Sequence, residues 1–274
     1  MGKKLPYKYN LKKYLMRGDE LLFHNYITKT RPVPSSADLR VGYAPIQDQG
    51  KLGACTAFSC CSVLEYLLGP SSKLSELYFY YEERKEDGNI NEDSGSTIAR
   101  SAEVATSIGS CLETLDPYII SNFANTPTTT MDADAPKHKA VTKYKITNIN
   151  DILYCVGVLK KPVLIGIDVY ESFEEIGSDG CVPMPKEGEE LLGGHALNIC
   201  GYFYKKTGVL EDIEKGIEKL EEGFEELISK NKYKGLYFIV RNSWGTEFGD
   251  KGYVYMSAEF LQKYSSDWWH IDLK

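Results

Sequence analysis

QDQGKLGACTAF, Gln47–Phe58, is the stretch from which the rest of the chain is read. It sets a thiol, Cys55, directly after Gly53-Ala54 and at the head of CTAFSCCSVLEYLL, residues 55–68. Apolar side chains at 58, 61, 64, 67 and 68 have helical spacing, and Gly69-Pro70 ends the run. Cys55 is therefore expected in the first turn of a helix, where unpaired N–H groups gather and favour a thiolate. Gly50 and Gly53 let the backbone turn sharply just upstream. Gln49 stands six residues before the thiol in a loop, where its amide can donate to an oxyanion.

Two more stretches complete a set. GGHALNICGY, Gly193–Tyr202, carries His195, and VRNSWGTEFGDKGY, Val240–Tyr253, carries Asn242. A thiol, an imidazole and a side-chain amide are what a thiolate nucleophile, its acid/base partner and that partner's orienter require. Taken singly, each residue has a plainer role. A cysteine in an apolar run is a small buried hydrophobe, and an Asn before Ser-Trp-Gly is a turn former. Their joint order Gln–Cys–His–Asn is what points to chemistry. His24, His138 and His270 lack comparable flanks.

In these three motifs the chain resembles the papain/cathepsin-like cysteine peptidases. His195 follows Cys55 by 140 residues, within that family's spacing, and Asn242 follows by 187, beyond it. Leu52 stands where the family usually has a disulfide cysteine, and Thr56 where it usually has an aromatic residue. The resemblance runs from about Asp38-Leu39-Arg40 almost to the C-terminus. It implies Cys55 as nucleophile, His195 as acid/base, Asn242 as its orienter, Gln49 with the Cys55 N–H as oxyanion hole, and Trp244 as a shield over the His–Asn pair. It further implies substrate contacts at Ser94 and Gly95, at Gly194, and at Ser266 and Asp267. Asp267 would favour a basic side chain at the second residue before the scissile bond. The reaction implied is peptide-bond hydrolysis through a thioester acyl-enzyme, with no metal or organic cofactor. An acyl-enzyme transpeptidase or ligase, and a weakened papain-fold binding protein, are the alternatives.

The element pattern agrees with an α+β fold, a papain-like two-lobed fold with a helical N-terminal lobe, an antiparallel β-rich C-terminal lobe and a cleft between them. Residues 55–135 make up most of the helical lobe, with further helices expected over 72–85 and about 97–108, and a loop over 116–137. Ser94 or Ser96 is the expected cap of the third helix. Residues 136–274 form the β lobe, with strands at 139–150, 162–170, 195–204, 235–244 and 251–257 and a short helix within 148–162. Residues 1–32 precede the 33–274 peptidase domain. They are too apolar for a solvated tail (Tyr7, Tyr9, Tyr14, Leu15, Leu21, Leu22, Phe23) and read as a structural arm or a short prosegment over the cleft.

Leu210, Ile213, Ile217, Leu220, Phe224 and Leu227 make a narrow apolar seam, so residues of about 207–232 read as an acidic amphipathic helical insertion. Eight acids against two lysines over 211–226 supply most of the net charge of −7. That charge argues against nonspecific nucleic-acid binding, and no apolar run is long enough to span a bilayer. The expected partner is a peptide or protein substrate, with self-association or a partner through the insertion as a further option. Seven cysteines, no metal-spaced pair and no secretory signal at the start point to reduced thiols in an intracellular or otherwise reducing compartment.

Overall fold

The helical and the strand-rich halves of the sequence fold as separate layers. The computed structural model describes residues 5–69, 71–205 and 233–274. The expected insertion over about 207–232 lies outside the described residues. The helices among them are α1 (Phe23–Tyr26), α2 (Cys55–Leu68), α3 (Glu76–Glu86), α4 (Ile98–Ser107), α5 (Thr129–Asp134), α6 (Ile149–Tyr154), α7 (Glu171–Glu174) and α8 (Ala258–Tyr264). The strands are β1 (Ala37–Asp38), β2 (Thr142–Ile146), β3 (Val163–Tyr170), β4 (Leu191–Tyr204), β5 (Leu236–Arg241), β6 (Tyr253–Ser257) and β7 (Ser265–Asp272).

α2 is buried on all sides from Cys55 to Glu65, because α3 and α4 cover one flank and β4 the other. α3 is capped by Ser75, whose hydroxyl accepts the Tyr78 N–H. α4 is capped by Thr97, which accepts the Arg100 N–H, so the cap falls one residue beyond Ser96. The stretch 116–137, expected as loop, contains α5. Thr128 caps it by accepting the Met131 N–H.

The sheet runs in the order β2-β7-β3-β4-β5-β6, with β1 added to β4, and all these pairings are antiparallel. β7 is absent from the sequence reading, yet it lies between β2 and β3. One core fills the β lobe around Ile165, Ile199, Phe238 and Val240. The other lies among α2, α3 and α4, and Leu164, Ala196 and Trp269 reach into it from the sheet. Ser59 on α2 donates to the Leu197 carbonyl on β4 at 2.7 Å, which fixes helix against strand next to His195.

Residues 5–32 lie along both lobes. The Phe23 ring is fully buried, edge-on to Tyr144 and His270. The Lys145 N–H donates to the Leu21 carbonyl at 2.8 Å, so this part of the segment is fastened to β2.

Candidate active site

Cys55 is the first residue of α2, after Ala54, which offers no side-chain cap. The first-turn N–H groups therefore remain to act on the sulfur. Against its burial, backbone hydrogen bonds from Ala196, Thr56 and Cys55 itself favour its anion. The Ala196 contact sets the sulfur against the peptide next to His195, across from β4.

His195 sits on β4 opposite Ile167 of β3 and is fully buried. Its Nε2 meets Asn242 Oδ1 at 2.8 Å, and Nδ1 has no hydrogen-bond partner. With Nε2–H donating to Asn242, Nδ1 carries the lone pair. Asn242 Oδ1 also accepts the Ser243 N–H at 2.7 Å, so the amide orientation is set from two sides. The Trp244 ring stacks on the imidazole with centroids 4.6 Å apart. Gln49 is buried on the same side: its Oε1 accepts from Ser243 Oγ at 2.7 Å and its Nε2 donates to the Leu52 carbonyl at 3.0 Å.

Burial pushes the Cys55 thiol up to about 12, against the backbone hydrogen bonds; the Glu83 carboxyl adds to the rise. Burial likewise lowers His195 to about 4, and the Asn242 hydrogen bond opposes it. Burial thus disfavours the charged form of both side chains.

Part of that covering is the N-terminal segment itself. Tyr7 stacks on Trp244 at 4.6 Å, nearly parallel, and its hydroxyl donates to the Trp244 carbonyl at 3.0 Å. Tyr9 lies edge-on to the same indole and donates to Glu174. The Leu11 N–H donates to the Gly194 carbonyl at 3.1 Å and the Lys12 N–H to the Ser96 carbonyl at 2.8 Å. Asn10 crosses Gly95, where φ is +65° and a Cβ would stand 1.8 Å from the Asn10 carbonyl oxygen. Only a glycine admits the strand there. The Leu11 side chain enters the notch left by Gly166, whose Cβ would come within 2.7 Å of Leu11 Cδ2.

The family model described as papain family cysteine protease matches residues 33–265. The chain belongs to the papain family of cysteine proteases. It is 28% identical over 243 residues to an uncharacterized peptidase C1-like protein of Acanthamoeba polyphaga mimivirus, covering 82% of this chain and 68% of that protein. It is 23% identical to cysteine proteinase 3 of Entamoeba histolytica, covering 86% and 66%. The chain thus spans about two thirds of the length of these curated relatives. Among solved structures, xylellain, a cysteine protease from Xylella fastidiosa, superposes with a TM-score of 0.78 at 22% identity, covering 100% of this chain and 99% of that one. Digestive procathepsin L 3 of Tenebrio molitor larval midgut gives 0.64 at 19% identity, covering 90% and 73%. The fold is the α+β two-lobed papain fold.

The two departures from the papain-family pattern have local explanations. Leu52 is buried in the helical-lobe core, and the seven cysteines are all unpaired. Thr56 Oγ1 donates to Glu83 at 2.7 Å, so this position serves a buried polar contact within the helical lobe. Ser94 Oγ stands 3.5 Å from Lys12 Nζ, and the Gly95 N–H donates to Tyr80 Oη at 2.9 Å. Ser266 pairs with Gly166, beside the Leu11 notch.

Asp267 requires a correction. Its Oδ1 accepts from Lys145 Nζ at 2.7 Å and Trp269 Nε1 at 2.6 Å, and its Oδ2 from the Ala99 N–H at 3.3 Å. The charge is already matched by a buried lysine, so it is not free to select a basic substrate side chain. Asp93 and Glu83, both at the site, were missed by the sequence reading. The Asp-Ser-Gly turn flagged the neighbours of Asp93, but nothing local to Glu83 distinguishes it from a solvated helix residue.

Proposed function

We propose that this chain hydrolyses peptide bonds through a thioester acyl-enzyme, with Cys55 as nucleophile, His195 as acid/base, Asn242 as orienter and Gln49 with the Cys55 N–H as oxyanion hole. The observation that carries this reading is the 2.8 Å His195–Asn242 bond. It leaves Nδ1 with a free lone pair on the strand that faces the thiol helix. The thiol gives its proton to Nδ1, the thiolate attacks the carbonyl, and the resulting imidazolium protonates the leaving amine. Water, deprotonated by the same imidazole, then opens the thioester. Gln49 Nε2 has to exchange the Leu52 carbonyl for the oxyanion, or donate its second hydrogen to it.

The N-terminal segment supports a latent form of the same site. The amine must leave on the His195 and Trp244 side, so a substrate runs from Gly95 towards Trp244. The segment runs the other way, from Tyr7 at Trp244 to Lys12 at Ser96. It therefore fills the cleft with reversed peptide polarity, and by drying the cleft it keeps thiol and imidazole uncharged. Once it withdraws, water and substrate replace it and the ion pair becomes accessible.

A thiol-directed epoxide should label Cys55 once the segment is loosened, with loss of all peptidase activity. Cys55→Ala should keep the fold and lose turnover. Retained peptidase activity in Cys55→Ala, or a label mapping to another cysteine, would end this assignment.

A further inference from the structure

Asp93 stands in the turn before Gly95 and joins it to the loop that leads into Cys55. The Gly53 N–H, two residues before the thiol, donates to its Oδ1 at 3.0 Å, and the Tyr80 hydroxyl donates to the same oxygen at 2.7 Å. Tyr80 is itself fully buried and accepts the Gly95 N–H, so the carboxylate is held from below by rigid parts of the helical lobe. The Asp93 carbonyl accepts from Asn10 Nδ2 at 2.8 Å, which places the residue directly under the N-terminal segment. Its Oδ2 is the oxygen that meets Lys8 Nζ, at 2.5 Å. The Asp93 side chain is 12% exposed and Lys8 is 50% exposed. Lys8 is the only cation paired with Asp93 among the described residues.

We infer that Asp93 is a specificity-determining residue, and that it takes a lysine or arginine side chain of the substrate in the place now held by Lys8. The inference rests on the peptidase reading above and names a substrate class for it. When the segment withdraws, Lys8 goes with it. A partly buried carboxylate, already oriented by two donors, is left without a counter-charge beside the nucleophile. A basic group arriving there makes a charge-assisted hydrogen bond without having to organise its acceptor. Asp87 is a weaker competitor, because Arg100 Nε already pairs with it at 3.1 Å when Lys12 leaves.

The test uses the full chain with Leu11→Asp to loosen the segment, and fluorogenic peptides that carry Lys, Arg, Gln or norleucine at each of the three positions before the scissile bond. The expected result is a preference for Lys and Arg at one position, of about ten- to hundredfold in kcat/KM over Gln. In Asp93→Asn that ratio should fall towards one, since the amide oxygen still accepts from Gly53 and Tyr80 while the charge is gone. Cleavage with no basic preference, or a preference that survives Asp93→Asn, overturns the inference while leaving the peptidase reading intact. If no peptide is cleaved, it is the peptidase reading that fails. The same peptides are then titrated onto the Leu11→Asp/Cys55→Ala chain, where equal affinity for Lys and Gln peptides overturns the inference. Lys8→Gln gives an independent arm. By removing the present occupant of Asp93 it should raise the rate at which an epoxide labels Cys55, and an unchanged rate counts against the pairing.

Discussion

Glu83 illustrates how much one side chain can hide. It is fully buried on α3 and accepts from Thr56 Oγ1 at 2.7 Å; Ser101 Oγ lies 2.5 Å from its other oxygen. Ser101 has one hydroxyl proton but two acceptors in range, Glu83 and the Thr97 carbonyl at 3.1 Å. A protonated Glu83 resolves this: it donates to Ser101, which donates on to Thr97. Burial pushes Glu83 up to about 8, against the hydrogen bonds from Ser101 and Thr56. The folded chain then keeps a proton between pH 4.5 and 8 that the unfolded chain releases, so its contribution to stability declines as pH rises through that window and is flat above it. Glu83→Gln reproduces the neutral pattern, with Nε2 donating to Ser101 and Oε1 accepting from Thr56, and cannot ionise. Denaturant unfolding should find it equal to wild type at pH 4 and more stable by up to about 3 kcal/mol at pH 7. Parallel stability curves from pH 4 to 8 would refute a protonated Glu83. Residues of this kind were not legible in the sequence, because their chemistry comes from partners 18 and 27 positions away. The place of Cys55 at the head of α2 and the pairing of His195 with Asn242 were legible because each residue sits in a short motif whose flanks announce it.

Among elements, β7 shows what pattern reading overlooks. Its residues Ser265–Asp272 have no apolar alternation, and buried positions fall consecutively at Trp269, His270 and Ile271. What places the strand is a tertiary contact. Asp267, at φ +61°, pairs with Lys145 of β2, both side chains being 6% exposed, and Lys145 also lies over the Tyr14 and Trp269 rings. Lys145→Met would keep most of the volume and leave the carboxylate buried and unmatched. Such broken pairs cost about 3–5 kcal/mol. Urea unfolding should register that loss, and a double variant with Asp267→Asn should recover much of it. β3 and β4 were legible from their apolar runs, and α2 from its spacing and its glycine stop. α5 was not, since a six-residue helix with two threonines, two aspartates and one methionine leaves no periodic trace.

For the whole molecule, the two lobes followed from helices in the first half, strands in the second and the resemblance of the three motifs, and the position of the first thirty residues did not. Their aromatic and leucine content excluded a solvated tail, but only the fold brings Tyr7, Asn10 and Leu11 onto Trp244, Gly95 and Gly166. Leu11→Asp sets a carboxylate in an apolar notch and should favour withdrawal, so peptidase activity should rise severalfold over wild type at neutral pH. Added salt should act in the same direction more weakly, by screening Lys8–Asp93 and Lys12–Asp87. Equal activity of wild type and Leu11→Asp would mean that the segment does not govern access.

Phe23 and the Leu21–Lys145 hydrogen bond anchor the chain only a few residues beyond the part that fills the groove. On the proposed latent reading, unmasking needs no diffusion of a released peptide, and the segment would act as a competitor in cis at a local concentration of about millimolar. An outside ligand has to outbid it at that level, so weak substrates would be excluded even while strong ones enter. Opening is then a first-order event. Any lag in progress curves should keep the same length when the protein is diluted a hundredfold, whereas a lag that stretches on dilution would point to one molecule trimming another.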